Sequence, residues 1–258
     1  MSTSITNEAA RWFVVRRPNP RAALRLFCFP YAGGGTPIYR QWPELLPPEY
    51  EVYAAQLPGR GNRMREPPYY SFEPMVEALA SAVAPHLDRP FAFFGHSMGA
   101  TIGFELARLL EARGAGLPAR LFVSGRRAPQ LPRDWEITYN LPEPQFISHV
   151  QSLNGTPAEV LEHPELMELM LPLLRADFSV VETYEYRTGP PLGCPITAFG
   201  GAEDAEVDRE KVAAWREQTS ADFNLRIMPG GHFFLSDTPT QAAMLRIIES
   251  ELRQAART

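Results

Sequence analysis

Seven short apolar runs alternate with helix-patterned segments along this chain, and that alternation leaves few folds open. The strand candidates are residues 12–15, 24–29, 51–55, 91–95, 121–124, 196–200 and 224–228. Most are predominantly apolar, as expected of strands buried on both faces of a mostly parallel sheet. Between them, apolar residues recur at three- and four-residue spacing over 38–46, 72–87, 98–112, 209–218 and 240–255, which predicts helices. The alternation predicts an α/β fold with a mostly parallel central sheet flanked by helices. At 258 residues the chain is expected to form one domain, 1–258, with a substantial core.

One interval breaks the rhythm. Residues 129–191 contain no convincing strand and offer helix-like stretches at 144–153 and 164–184. Its apolar residues, among them Phe146, Val150, Leu153, Leu166, Met167, Leu169, Met170, Leu174, Phe178 and Val181, are too numerous for a solvated excursion. They must cover something, either as extra core or as a helical lid insertion over a pocket, where Met and Leu supply adaptable contacts.

Charge and cysteine content narrow the function classes. Lys and Arg total 25 against 30 Asp and Glu, a net charge of −5, so no global positive field exists to hold nucleic acid or an anionic membrane. Cys28 and Cys194 cannot build a disulfide framework and read as buried free thiols. The amino-terminal residues lack the basic start and apolar stretch of a secretion signal, and no apolar run approaches membrane-spanning length. A cytoplasmic protein is the expectation.

The sharpest chemical signal is Gly95-His96-Ser97-Met98-Gly99, set between a strand candidate and a helix candidate. A G-x-S-x-G pattern in that setting makes a tight turn that lifts the serine hydroxyl above the sheet. The turn also places the Met98 amide at a helix N-terminus, where it can donate to a developing oxyanion. Serine at neutral pH needs a neighbouring base. His232, in Pro229-Gly230-Gly231-His232 after the last strand candidate, is the histidine best placed to reach it. His86, His96, His149 and His163 are read as packed or surface residues. The histidine needs an acid, expected between serine and histidine in chain order. Asp204 follows the strand at 196–200, with Glu203 and Asp208 as competitors; Asp208 also suits an N-cap before the helix at 209–218. A second oxyanion donor is expected from Ala32, alone or with Tyr31, in the loop Pro30-Tyr31-Ala32-Gly33-Gly34-Gly35. That loop lacks the Lys and Ser/Thr that a nucleotide-binding P-loop requires.

Together, Pro30-Tyr31-Ala32-Gly33-Gly34, Gln56-Leu57-Pro58-Gly59-Arg60, Gly95-His96-Ser97-Met98-Gly99, Gly200-Gly201-Ala202-Glu203-Asp204 and Gly230-Gly231-His232-Phe233-Phe234-Leu235 resemble the type II thioesterases of polyketide and nonribosomal-peptide biosynthesis. Gly61 departs from the pattern, since many members carry glutamate there. The resemblance implies an α/β-hydrolase fold with a helical lid. It also implies an enzyme that hydrolyses acyl groups from the phosphopantetheine arm of an acyl or peptidyl carrier protein, with no cofactor and no metal, as a monomer. It assigns Ser97 as nucleophile, His232 as base and acid, Asp204 as orienting acid, and the Met98 and Ala32 amides as oxyanion hole. A carrier protein is expected to be acidic, so Arg60, Arg63 and Arg65, or Arg126 and Arg127, are candidates for a basic docking surface. A small-molecule carboxylesterase or lipase would share the triad and lid, an acyltransferase would differ only in its acceptor, and a non-catalytic binding protein would have no use for the triad.

Overall fold

The computed structural model describes residues 11–153, 155 and 163–255; the first ten residues, part of the stretch read for an export signal, lie outside them. Among the described residues, seven strands form one sheet: β1 (Phe13–Val14), β2 (Leu24–Phe29), β3 (Tyr50–Ala55), β4 (Phe91–His96), β5 (Leu121–Ser124), β6 (Ile196–Gly201) and β7 (Phe223–Met228). Their order is β1-β3-β2-β4-β5-β6-β7. Only β1 runs antiparallel, against β3; every other pairing is parallel. The mostly parallel sheet is the one the alternation predicts, and its arrangement is the α/β-hydrolase fold that the resemblance implies.

The apolar runs are continuous because successive side chains enter two different cores. In β2, Phe27 and Phe29 join one core while Leu24, Leu26 and Cys28 join the other. In β4, Phe91 and Phe93 divide in the same way from Ala92 and Phe94. Helices α2 (Phe72–Val83) and α3 (Met98–Ala112) cover the first face, and α1 (Trp42–Leu45) and α7 (Thr238–Ala255) contribute to the second. Cys28 and Cys194 are buried free thiols. No helix among the described residues is long and apolar enough to cross a membrane.

Element boundaries depart from expectation where proline or a cap intervenes. The helix expected at 38–46 is instead a 3-10 turn, Thr36–Tyr39, followed by the four-residue α1. Pro43 has no N–H to continue an earlier helix, and it sits instead in the first turn of α1, where no intrahelical donor is needed. The last helix starts at Thr238 rather than Thr240, because the Asp237 carboxylate accepts the Thr240 amide at 3.0 Å. Helix α6 is Arg209–Ala213 and tightens into a 3-10 segment at Ala214–Gln218.

Between β5 and β6 the chain contributes α4 (Glu143–Ser152) and α5 (Pro164–Glu182). Phe146 and Val150 pack with Met167, Leu171 and Leu174 in a separate apolar cluster. Leu166 and Leu169 do not share in this cover, and both are exposed.

Candidate active site

The G-x-S-x-G turn is set by sterics that glycine alone satisfies. Ser97 joins β4 to α3 with φ 52° and ψ −113°, the one non-glycine residue with positive φ among the described residues. A Cβ on Gly95 would lie 1.9 Å from the Gly99 carbonyl oxygen, and a Cβ on Gly99 would lie 2.0 Å from that of Phe29. Both obstacles are backbone, so no side-chain motion relieves them. The Ser97 amide donates to the Ser124 carbonyl at 2.8 Å, tying the turn to the end of β5. A backbone held in this sparsely populated region costs about 1–3 kcal/mol and persists where surrounding structure dictates it. Met98 is the first residue of α3, where an amide has no partner within the helix.

His232 and Asp204 meet across two neighbouring loops at the carboxyl ends of β6 and β7. His232 Nδ1 and Asp204 Oδ2 are 2.8 Å apart. The other carboxylate oxygen, Oδ1, accepts the Glu206 and Val207 amides at 2.9 and 3.0 Å. Burial acts to raise the carboxyl pKa, but the bond to His232 and the two amides outweigh it and hold Asp204 below its ordinary range. The loops come this close because Gly201 has no side chain: a Cβ there would lie 2.5 Å from the Gly231 carbonyl oxygen. Of the three acids weighed from sequence, Asp204 is the one bonded to His232. Asp208 caps α6, accepting the Lys211 amide at 2.8 Å, and Glu203 is exposed.

Ser97, His232 and Ala32 line one pocket of about 110 Å³, together with Val150, Leu153, Leu174, Phe178 and Val181 of the insertion. The other histidines stand apart from this role. His96 is fully buried, its Nδ1 lies 2.9 Å from Ser124 Oγ, and burial, followed by the neighbouring His232, pushes its pKa well down, so it is neutral. His86 stacks among Phe13, Phe27 and Tyr53, His149 lies against Phe178, and His163 is exposed before α5.

The Ala32 loop is held by a residue that sequence reasoning missed. Asp177, in the middle of α5, accepts the Gly33 amide at 2.7 Å and forms two bonds with Arg60, at 2.9 and 2.7 Å. Arg60 in turn donates to the Gly34 carbonyl at 2.7 Å. The Gly34 amide closes a turn onto the Tyr31 carbonyl at 2.9 Å, so the Gly33 and Gly34 amides are both engaged within the protein. The available signal was a lone acid, Asp177, between Ala176 and Phe178 on an otherwise apolar helix face.

The arginines considered as a docking surface separate on inspection. Arg60 and Arg63 are buried, Arg60 against Asp177 and Arg63 against Glu66 at 2.6 Å, so they present no basic surface. Arg127 is also buried, paired with Asp134. Arg126 is partly buried and lines the Ser97 pocket, leaving Arg65 as the exposed member of the set.

The thioesterase-domain family matches residues 24–252, most of the chain. The chain belongs to the thioesterase family. Among its relatives, this thioesterase is 46% identical over 247 residues to the gramicidin S biosynthesis protein GrsT of Aneurinibacillus migulanus, covering 96% of each chain. It is similar in structure to the RedJ thioesterase of the prodiginine biosynthetic pathway in Streptomyces coelicolor. That match has a TM-score of 0.85 at 41% identity and covers 92% of this chain and 95% of the other. The type II thioesterase BorB from the borrelidin biosynthetic cluster aligns with a TM-score of 0.83 at 36% identity, covering 94% and 96% of the two chains. In this thioesterase, a hydroxyl at a helix N-terminus shares a pocket with an imidazole whose Nδ1 meets a carboxylate, an arrangement suited to acyl transfer through a covalent intermediate.

Proposed function

We propose that this thioesterase is a type II editing enzyme, clearing acyl groups from the phosphopantetheine arm of an acyl or peptidyl carrier protein in polyketide or nonribosomal-peptide synthesis. The observation that supports it most is the Asp204–His232 hydrogen bond at 2.8 Å, opening on the same pocket as Ser97. Ser97 Oγ attacks the thioester carbonyl while His232 takes its proton, and the amides of Met98 and Ala32 hold the oxyanion. The C–S bond breaks, the thiolate leaves with a proton from the imidazolium, and an acyl-serine remains. Water then attacks the ester as His232 accepts its proton; the acid departs and Ser97 regains its hydrogen. Asp204 holds the imidazole in the productive tautomer throughout.

Residues 129–191 act as the lid, with Leu174 and Phe178 closing the acyl pocket. A volume of about 110 Å³ is well below that of a pocket for drug-sized ligands and suits a short acyl group. We further read the enzyme as a cytoplasmic monomer. The test is deacylation of a carrier protein loaded with acetyl, propionyl or hexanoyl groups, followed by mass spectrometry, with simple oxygen esters as comparison. Wild type should release the short acyl groups as free acids faster than it cleaves the oxygen esters, and Ser97→Ala should release none. Equal rates for the two proteins would remove Ser97 from the mechanism, and faster ester cleavage would favour a carboxylesterase.

A further inference from the structure

The turn that presents Ser97 begins with a residue to which the reaction outlined above gives no task. His96 is the last residue of β4, directly before the nucleophile, and it is 0% exposed, so it touches no substrate. Its ring stands where three loops of the site converge. Tyr31, beside Ala32 in the oxyanion loop, meets it edge-on with ring centroids 5.9 Å apart. From the loop that carries the base, His232 lies 5.3 Å away, Phe233 6.0 Å and Phe234 5.6 Å. Tyr31 and Phe233 also meet each other, at 4.9 Å, so the two loops are joined through a closed set of rings that includes His96.

The third loop fixes the ring itself. His96 Nδ1 lies 2.9 Å from Ser124 Oγ, and the Ser124 carbonyl accepts the Ser97 amide at 2.8 Å, so one residue at the end of β5 holds both the ring and the nucleophile. The next residue, Gly125, has φ 55° and lets the backbone close on the ring: a Cβ there would lie 2.4 Å from His96 Cε1. His96 Nε2 is buried and has no hydrogen-bond partner among the described residues. A ring retained only to fill space would be better apolar, because burial strips that nitrogen of water and no bond replaces it. Burial, and after it the charge of His232, press the ring toward its neutral form against a smaller pull from the His232 backbone. A neutral ring stands beside the imidazolium formed in the reaction without like-charge repulsion.

We propose that His96 is a positioning residue for thioester hydrolysis: anchored through Nδ1 to Ser124, its ring sets where the His232 imidazole and the Ala32 loop stand relative to Ser97. It acts through those groups and not on the substrate. The assignment rests on the reading of Ser97 as nucleophile and His232 as base, so the experiment includes a readout of the His232 ring that needs no turnover.

The kcat and KM for butyryl-N-acetylcysteamine are measured for wild type, His96→Ala, Ser124→Ala, Ser97→Ala and Leu79→Ala, with folding checked by circular dichroism and urea midpoint. Leu79, 0% exposed in α2, supplies a variant destabilised in the core. Proton NMR follows the His232 Nδ1 proton shared with Asp204. His96→Ala should lower kcat by about a hundredfold, the scale of an ångström-sized misplacement, with KM within about twofold of wild type. Ser124→Ala, which loses only the hydroxyl, should lower kcat by about twofold to tenfold, the scale of one neutral hydrogen bond, and it decides the matter if His96→Ala does not fold. Leu79→Ala should keep the wild-type kcat at a temperature where it is folded. The His232 signal should broaden or vanish in His96→Ala and stay sharp in Leu79→Ala. Wild-type kcat in both site variants, an equal loss of kcat in Leu79→Ala, or an unchanged His232 signal in folded His96→Ala overturns the proposal. Should Ser97→Ala keep full activity, or wild type cleave no thioester, the reading of the nucleophile or of the reaction falls instead. The His232 signal in His96→Ala, or in Ser124→Ala if the former does not fold, then decides the positioning role alone: a displaced signal upholds it and an unchanged one overturns it.

Discussion

Asp177 offers the most searching test of how this site is held together. Its side chain is 3% exposed and that of Arg60 is 7% exposed, and two hydrogen bonds join them. Breaking one partner of such a buried pair costs about 3–5 kcal/mol, because the remaining charge is left without compensation. Asp177→Leu also removes the acceptor of the Gly33 amide, worth about a further 1–3 kcal/mol if that N–H finds no water. The loss is a large part of the roughly 5–15 kcal/mol that holds a typical domain together. Asp177→Asn, which keeps an oxygen for Gly33 and loses the charge, should sit at the low end, near 3 kcal/mol. Urea unfolding followed by tryptophan fluorescence measures both. The double variant Arg60→Met/Asp177→Leu removes both charges and should be less destabilised than the sum of its single variants by about 1.5 kcal/mol or more. Because Asp177 touches the Ala32 loop rather than substrate, folded Asp177→Asn should lose more in kcat than it gains in KM. The ceiling is the roughly 10²–10³-fold cost of losing one oxyanion donor. A single-variant loss below about 1 kcal/mol, or strict additivity in the double variant, would refute this account of the pair.

Gly99→Ala should fail to reach the native fold or unfold at much lower denaturant, since its methyl would stand 2.0 Å from a backbone oxygen; a stability within 1 kcal/mol of wild type, on the usual scale for surface changes, would contradict the geometry. Asp204→Asn should cut carrier-protein deacylation by about 10⁴ with little change in KM, because the amide favours the wrong imidazole tautomer; undiminished kcat would remove Asp204 from the mechanism. The two titrating groups also act in separate pH windows. The folded pKa of His96 is depressed, so the stability from keeping it neutral is complete above the unfolded value near 6.5 and falls with decreasing pH by about 1.4 kcal/mol per unit. Asp204 is depressed as a carboxylate, so its contribution is complete above the ordinary value near 3.9 and is lost only below it, as pH falls through the folded pKa. Urea midpoints taken at pH 7.5, 6.5 and 5.5 for wild type and His96→Gln should converge as the pH drops, and parallel curves would count against a neutral buried His96.

Much of the fold was legible in the sequence because its information is local. Runs such as 24–29 and 121–124 match β2 and β5 end to end, since a strand buried on both faces is apolar at most positions, Arg25 and Ser124 being the exceptions here. The turn around Ser97 was equally legible: its sterics involve Gly95, Gly99 and a neighbouring backbone, and glycine at both positions signals the close approach directly. Prolines and caps moved several helix ends by a few residues, because one side chain such as that of Asp237 decides where a helix begins. The sequence also identified His232 as the base candidate from its loop after the last strand.

Other features depended on residues far apart in the chain. Three acids competed for His232 by position, and what separates them is the approach of the Gly201 and Gly231 backbones, which only the packed loops display. Arg60 resembled a surface cation, yet it is buried against Asp177, 117 positions away in sequence. Arg126 is set apart from Arg127 not by residue type but by place: Arg126 lines the Ser97 pocket, while Arg127 is paired with Asp134. The chain alone therefore determined the strands, the serine turn and the chemical identity of the reacting groups, because each is dictated by neighbouring residues. Tertiary structure decided which acid meets His232 and which charges are neutralised, because burial and ion pairing are properties of the space that distant segments enclose together.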